Sequence, residues 1–338
     1  MAYTNSDLST AQAKLTQKFA SGELRAPNNA TVLAYLKSTE IMVPSYQELR
    51  TREDRATNTY FINRALRSAG SARAHNHTGT HGTSTLFTPT WATASDKFAI
   101  SLKQGDKNIF SRQEMLMSEL YNVQLNLIKD LESKAVNHLF ANRTGVNVAT
   151  VEGTFNATND VFEVDSSANE NRFQQIIDSV LTLNDWSTGH TYFCDTVAFN
   201  KLRYQAAQGA QNATNLSFQF LGETYVHSHG LSAKADTLSY TKGFVVAVPD
   251  GMIAALPWIP VQNRTGVETK IQSYASIMNP FDGLDYAIHT YSTAADGTSV
   301  GGYTQDEITQ FEVSIDMSFD SAPLSTADET PLYAFALI

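Results

Sequence analysis

"SRQEMLMSELYNVQLNLIKDLESKAVNHLFANRTG", residues 111–145, decides how the rest of the chain is read. Ser111 and Glu114 stand in capping-box spacing, so the hydroxyl and the carboxylate can each take a backbone N–H that the first helical turn leaves without a partner. Leu116, Leu120, Val123, Leu127, Leu131, Ala135 and Leu139 then recur in steps of three and four, one apolar stripe along one helix. With Gly145 as its stop, the pattern predicts a helix over 112–142, roughly 46 Å long at ~1.5 Å per residue. Such a helix is two to three times the usual globular length of about 11–12 residues. Its stripe needs a cover and is too short for a coiled coil, which predicts a sheet lying across it.

Upstream, "SAGSARAHNHTGTHGTS", residues 68–84, holds no apolar side chain larger than Ala and cannot form a core. An unstructured loop of the size needed to join the Arg-rich segment 48–67 to the long helix is uncommon inside a compact domain. Strand signals flank it: Tyr60 and Phe61 on one side, "TLFTPTW" and "DKFAISL" on the other, where Phe98, Ile100 and Leu102 alternate with Lys97, Ala99 and Ser101. The reading is a two-stranded arm, 57–66 paired with part of 85–102, carrying the polar string at its tip. An isolated hairpin is marginal in water, so the arm is expected to become ordered on another subunit. Residues 6–22 read as a short amphipathic helix through Leu8, Ala11, Leu15 and Phe19, followed by a mixed apolar segment ending at Pro44.

Downstream, "VEGTFNATNDVFEVD" reads as a hairpin, and Asn169 or Ser167 is the expected cap of a helix bearing Phe173, Ile176, Ile177, Val180 and Leu181. "TYFCDT" is a strand feeding the helix "VAFNKLRYQAAQ"; "ETYVHSH" and "KGFVVAVPDGMIAAL" are read as one strand each, and the last 65 residues as β. No internal repeat is present.

Charge is divided along the chain. Residues 1–73 carry ten Lys/Arg against six Asp/Glu, whereas ten acidic and no basic residues follow Lys270. Complementary segments of this kind predict docking between copies: Arg50, Arg52, Arg55, Arg64 and Arg67 of one subunit against Asp306, Glu307, Glu312, Asp316 and Asp320 of the next, with Arg73, His75 and His77 supplying polar contacts at the arm's tip. The net charge of −10 argues against a sequence-reading DNA binder. With no apolar run of membrane length and no signal-peptide pattern at the N-terminus, the expectation is a soluble chain made in the cytoplasm.

Catalytic signals are weak. His75, His77 and His81 offer a possible metal set, and "HNH" invites a nuclease or metal-dependent hydrolase reading, but no carboxylate lies between Asp54 and Asp96 to complete it. His227 and His229 repeat the period-two spacing within an expected strand, where ordinary polar packing is the simpler account. The chain has neither a phosphate-binding loop nor a nucleophile elbow, and its one cysteine, Cys194, sits in an apolar strand as a small hydrophobe.

This order of parts, with "TYFCDTVAFNKLR", "FLGETYVHSHGL" and "GFVVAVPDGMIAAL" following the long helix, resembles the major capsid proteins of tailed bacteriophages, the Hong Kong 97-type shell fold shared with encapsulins. The resemblance implies an α+β chain: an N-terminal arm over 1–50, an extended β-loop over 51–110, a peripheral domain with its spine helix over 111–165, an axial α/β domain over 166–275, and a return to the periphery over 276–338. It implies a non-enzymatic virion subunit without a cofactor, assembling with itself into pentamers and hexamers in the bacterial host cytoplasm around double-stranded DNA. Portal, scaffolding and possible cement proteins are its implied partners. An encapsulin-like compartment is the alternative within the fold. Some relatives cross-link a loop lysine to a neighbour's asparagine; Lys97, Lys103 and Lys107 lie in the corresponding region, but no motif marks a partner and that chemistry is not carried over.

Overall fold

The long helix lies where its apolar stripe predicts, in a computed structural model that describes residues 5–42, 46–55, 59–62, 84–101, 111–144, 152–184, 186, 189–208, 217–220, 223–269, 272–294, 299–300, 303–304, 307–322 and 331–338. Three helices come first, α1 (Asn5–Ala20), α2 (Ala30–Met42) and α3 (Tyr46–Thr51). Strands β1 (Thr59–Ile62), β2 (Ser84–Phe87) and β3 (Trp91–Ser101) follow, then the long helix α4 (Arg112–Ala141). Ser111 caps α4 as expected: its Oγ accepts from the Glu114 N–H at 3.2 Å, while Glu114 Oε2 accepts from the Ser111 N–H at 2.7 Å. Every member of the stripe from Leu116 to Leu139 is buried.

Helices α1 and α2 pack on α4 through Leu8, Ala11, Leu15, Val32 and Tyr35. Residues 5–42 are therefore packed on their own chain. Buried polar contacts fix their register. Gln124 Nε2 donates to Gln12 Oε1 at 2.9 Å, and the Glu132 carboxylate accepts the Thr31 and Val32 N–H groups at 3.3 and 3.1 Å, which satisfies orphan donors at the start of α2. Burial pushes His138 down to about 4, so its ring is neutral at neutral pH, and its Nδ1 shares a hydrogen bond with the Tyr35 hydroxyl at 2.7 Å.

The next part alternates strand and helix: β4 (Thr154–Asn156), β5 (Val161–Val164), α5 (Ser166–Asn169), α6 (Phe173–Leu183), β6 (His190–Cys194), α7 (Thr196–Gln208), β7 (Ser217–Phe220), β8 (Glu223–His227), α8 (His229–Thr237) and β9 (Phe244–Pro249). The helix bearing Phe173 is α6, whose N-cap position is Arg172, without a side-chain cap, rather than Asn169 or Ser167; Asp165 caps the short α5 before it, accepting from the Ser167 N–H at 2.8 Å. "KGFVVAVPDGMIAAL" is two strands, because the chain turns at Asp250 and Gly251, the latter with φ 78°, and β10 (Ile253–Trp258) enters a different sheet from β9. Helix α9 (Val261–Thr265), β11 (Gln272–Met278), β12 (Asp285–Ala294), the short pair β13 (Ser299–Val300) and β14 (Tyr303–Thr304), β15 (Glu307–Ser321) and β16 (Tyr333–Leu337) complete the chain.

Two sheets organise these strands. The larger has the order β4-β5-β16-β9-β6-β8-β7, and its central strands β16 and β9 are buried on both faces. Along β9, Phe244, Val246 and Val248 join the core around α4, while Val245 and Ala247 join a second core beneath α6 and α7; side chains of a strand alternate between faces. The smaller sheet is centred on β15. Residues 308–318 pair with β3 on one edge, and the opposite edge is shared end to end by β12 (307–314) and β10 (316–321). Phe311, Val313, Ile315 and Met317 of β15 face the α4 core. The division expected at 275/276 does not follow these sheets. β10 and β11 belong with β15, whereas β16, almost the last residues of the chain, inserts between β5 and β9; hydrogen-bond partners, not neighbours in sequence, decide membership.

Candidate functional site

Strands β1 and β2 pair antiparallel from Thr59↔Phe87 to Ile62↔Ser84 and form a sheet of their own. The pairing falls in the segments read as the arm to within one residue, β2 starting at Ser84 where 85 is expected; the tip, with Arg64, Arg67, Arg73, His75, His77 and His81, lies outside the described residues. What is described is the root, the place where both legs of this hairpin leave the body.

At the root the register of the smaller sheet sets Thr93 of β3, Asp316 of β15 and Trp258 of β10 directly opposite one another, with their side chains on one face. Asp316 is buried, its side chain 7% exposed. Its Oδ1 accepts from the Thr93 hydroxyl at 2.5 Å, and its Oδ2 takes the Arg55 guanidinium at 2.7 Å. Arg55 lies over the Trp258 ring at 5.5 Å, with Arg264 over the same ring at 5.9 Å. The preceding residues are held by their carbonyls. Trp258 Nε1 donates to Arg52 O at 3.2 Å, Arg264 Nη2 to Arg52 O at 2.5 Å, and Arg264 Nη1 to Arg50 O at 3.4 Å. Arg50 also stands 4.0 Å from Asp285.

Some residues expected to face a neighbouring copy have partners within the chain. Arg55 and Asp316, assigned to opposite sides of a subunit boundary, meet within one chain. Glu312 likewise pairs with Lys97 of its own chain at 3.5 Å. Asp320 is buried, where it accepts from the Ser318 hydroxyl at 2.5 Å and from the Thr90 backbone; burial pushes its carboxyl up to about 7 against the pull of those hydrogen bonds. The physical reason is register: β3, β10 and β15 bring segments far apart in sequence within ion-pair reach, so the basic and acidic halves partly neutralise each other internally. Arg52 keeps an exposed side chain, while Asp306 and the Glu307 and Lys103 and Lys107 side chains lie outside the described residues.

The histidine pair near 228 does not sit on one strand: His227 ends β8 and His229 opens α8, with their rings 6.3 Å apart. His227 lies between Asn28 Nδ2 at 3.3 Å and Thr196 Oγ1 at 3.1 Å, and burial lowers its pKa. Among the described residues no group of three His, Cys, Asp or Glu side chains is placed to hold a metal, and no helix is long and apolar enough to cross a membrane. Cys194 is fully buried, and burial pushes its thiol well up. Sequence reasoning missed Thr93, Trp258 and Arg264; a tryptophan with cations near it in space but not in sequence leaves no local signal.

No protein-family model matches the chain, and no curated protein does. Solved structures do. The capsid of cyanophage Pam1 is 9% identical over 93% of each chain with a TM-score of 0.51. Mycobacterium phage Che8 gives 10% identity over 87% of this chain and 88% of that one (TM-score 0.48), and Mycobacterium phage Ogopogo 15% over 93% and 94% (TM-score 0.47). The Pam1 likeness, end to end in both chains, carries the assignment: this chain has the fold of a phage major capsid protein.

Proposed function

We propose that this chain is a structural shell subunit that assembles with copies of itself into a closed container. The observation that supports the reading is the likeness to the Pam1 capsid over 93% of both chains, with no large part left over for another task. The hairpin that forms a sheet apart from the two body sheets is the element suited to reach a neighbour. In this reading pentamers and hexamers enclose double-stranded DNA without reading its sequence, with a portal and scaffolding proteins as partners and the host cytoplasm as the place of assembly. Work is done by geometry: α4 stiffens the sheets it crosses, and each hairpin contact helps to close a ring of subunits.

Negative-stain microscopy of the purified protein, alone and coexpressed with scaffolding protein from the same genome, tests the proposal. Closed shells of uniform diameter are expected. Monomers or small oligomers under both conditions, or stoichiometric metal with hydrolytic turnover, would overturn it.

A further inference from the structure

The hairpin's base pair, Thr59↔Phe87, stands four residues beyond Arg55 on the outgoing leg and four residues before Trp91 on the returning leg. Four residues span at most about 14 Å. The base of the hairpin is therefore tethered within a short radius of the two points where its legs meet the body, and how those points are held decides where it aims.

The returning leg is paired with β15 from Trp91 onward and the outgoing leg is held at the Arg50 and Arg52 carbonyls; one carboxylate joins the two. Asp316 gives one oxygen to each leg, Oδ2 to Arg55 on the way out and Oδ1 to Thr93 on the way back. We infer that Asp316 is a two-legged clamp that aims the hairpin in the free subunit, before a second copy is met. The inference rests on the shell reading for its purpose, but its geometry is intramolecular.

Three features make the clamp directional. Arg55 is held by two groups at once, the Asp316 carboxylate and the Trp258 indole, whose ring centre lies 5.5 Å from the guanidinium carbon. Arg264, over the same indole at 5.9 Å, draws in the carbonyls of Arg50 and Arg52, so the backbone approaching Arg55 is fixed as well as the side chain. On the returning leg Asp320 accepts from the Thr90 backbone, one strand position upstream of β3, so the leg is held on both sides of Trp91. The two oxygens of Asp316 are also coupled. Withdrawing either donor leaves a carboxylate that is nearly out of solvent and only half satisfied, which penalises release of one leg while the other stays bound.

Amide hydrogen exchange on the unassembled subunit tests this, with Arg55→Ala, Arg55→Lys and Thr93→Val compared with the parent. Arg55→Ala should speed exchange in 59–62 and 84–87 by roughly tenfold while leaving 112–141 unchanged. Thr93→Val should act in the same direction, and Arg55→Lys should recover part of the protection, since it restores the charge without the guanidinium. The clamp is overturned if neither Arg55→Ala nor Thr93→Val alters hairpin exchange. It is equally overturned if the parent hairpin already exchanges at the unprotected rate, or if protection falls equally in α4. Shell formation by the parent, scored by microscopy, is a separate readout: protected hairpins without shells would sink the container reading and spare the clamp, and shells with an unclamped hairpin would do the reverse.

Discussion

The larger sheet and the hairpin root are held by different physics. In β9 every residue is buried, with alternate side chains in two separate cores, so its order comes from apolar area withdrawn from water. The root has an ion pair, an indole shared by two guanidinium groups and three carbonyl hydrogen bonds, with Arg55 still 44% exposed at its side chain. Burial is non-directional and costly to disturb. Directional polar contacts are individually cheap, yet they fix an angle. A shell subunit of this design can keep its body unchanged while its reaching element is re-aimed.

The comparison breaks first if the body is less dependent on packing than this account holds. Phe244→Ala removes a fully buried ring that packs near Phe140 and Tyr240, and should cost about 3–5 kcal/mol in denaturant unfolding. A loss below about 1 kcal/mol would show that the sheet does not draw its stability from that core.

Next in size is the pH response of the buried carboxylate beside the root. Asp320 titrates at about 7 in the fold because burial opposes its charge, against about 4 when unfolded. A raised carboxyl holds its proton more tightly in the native state. Its contribution is fully present below about pH 4 and is lost as pH climbs through about 7. Asp320→Asn keeps an acceptor for Thr90 and Ser318 but carries no charge. It should be more stable than the parent at pH 8, on the order of 2–4 kcal/mol, with the gap closing toward pH 4. Thermal unfolding at the two pH values checks this, and a pH-independent difference would refute it.

Smaller again is the capping box. Ser111→Ala should cost about 1 kcal/mol and leave hairpin exchange alone, since the cap serves only the first turn of α4. That local reach is also why the helix was legible in sequence. Its stripe and its cap lie within one continuous segment, and the expected 112–142 differs from the observed Arg112–Ala141 by one residue. The hairpin strands and β6, α7 and β8 were legible for the same reason. What was not legible depends on partners chosen across the chain. A continuous apolar run, Tyr333 to Leu337, gives β16 two buried faces but does not say that β5 and β9 flank it. Segregated charge says that Arg55 and Asp316 are complementary, but whether they meet within one copy or between two is settled by the register of β3, β10 and β15. The candidate site was thus half visible: its charges could be named, its Trp258 and Thr93 could not.

The smallest expected effect is the most discriminating. Arg55→Ala deletes an ion pair whose arginine is 44% exposed, so water can reach the buried Asp316 from the side the guanidinium leaves, and the global cost should stay at about 1 kcal/mol. Unfolding midpoints should therefore barely move. If order in the root were merely a faint version of order in the body, a change too small for a melting curve would also be too small to matter at the hairpin, and the variant should assemble like its parent. If direction is what the root supplies, the same change should slow assembly or widen the spread of particle sizes, because an arm free to swing meets its neighbour in the wrong orientation more often. Light scattering during assembly, run beside a melting curve on the same sample, separates the two, and unchanged kinetics with an unchanged midpoint would return the root to the status of an ordinary surface ion pair.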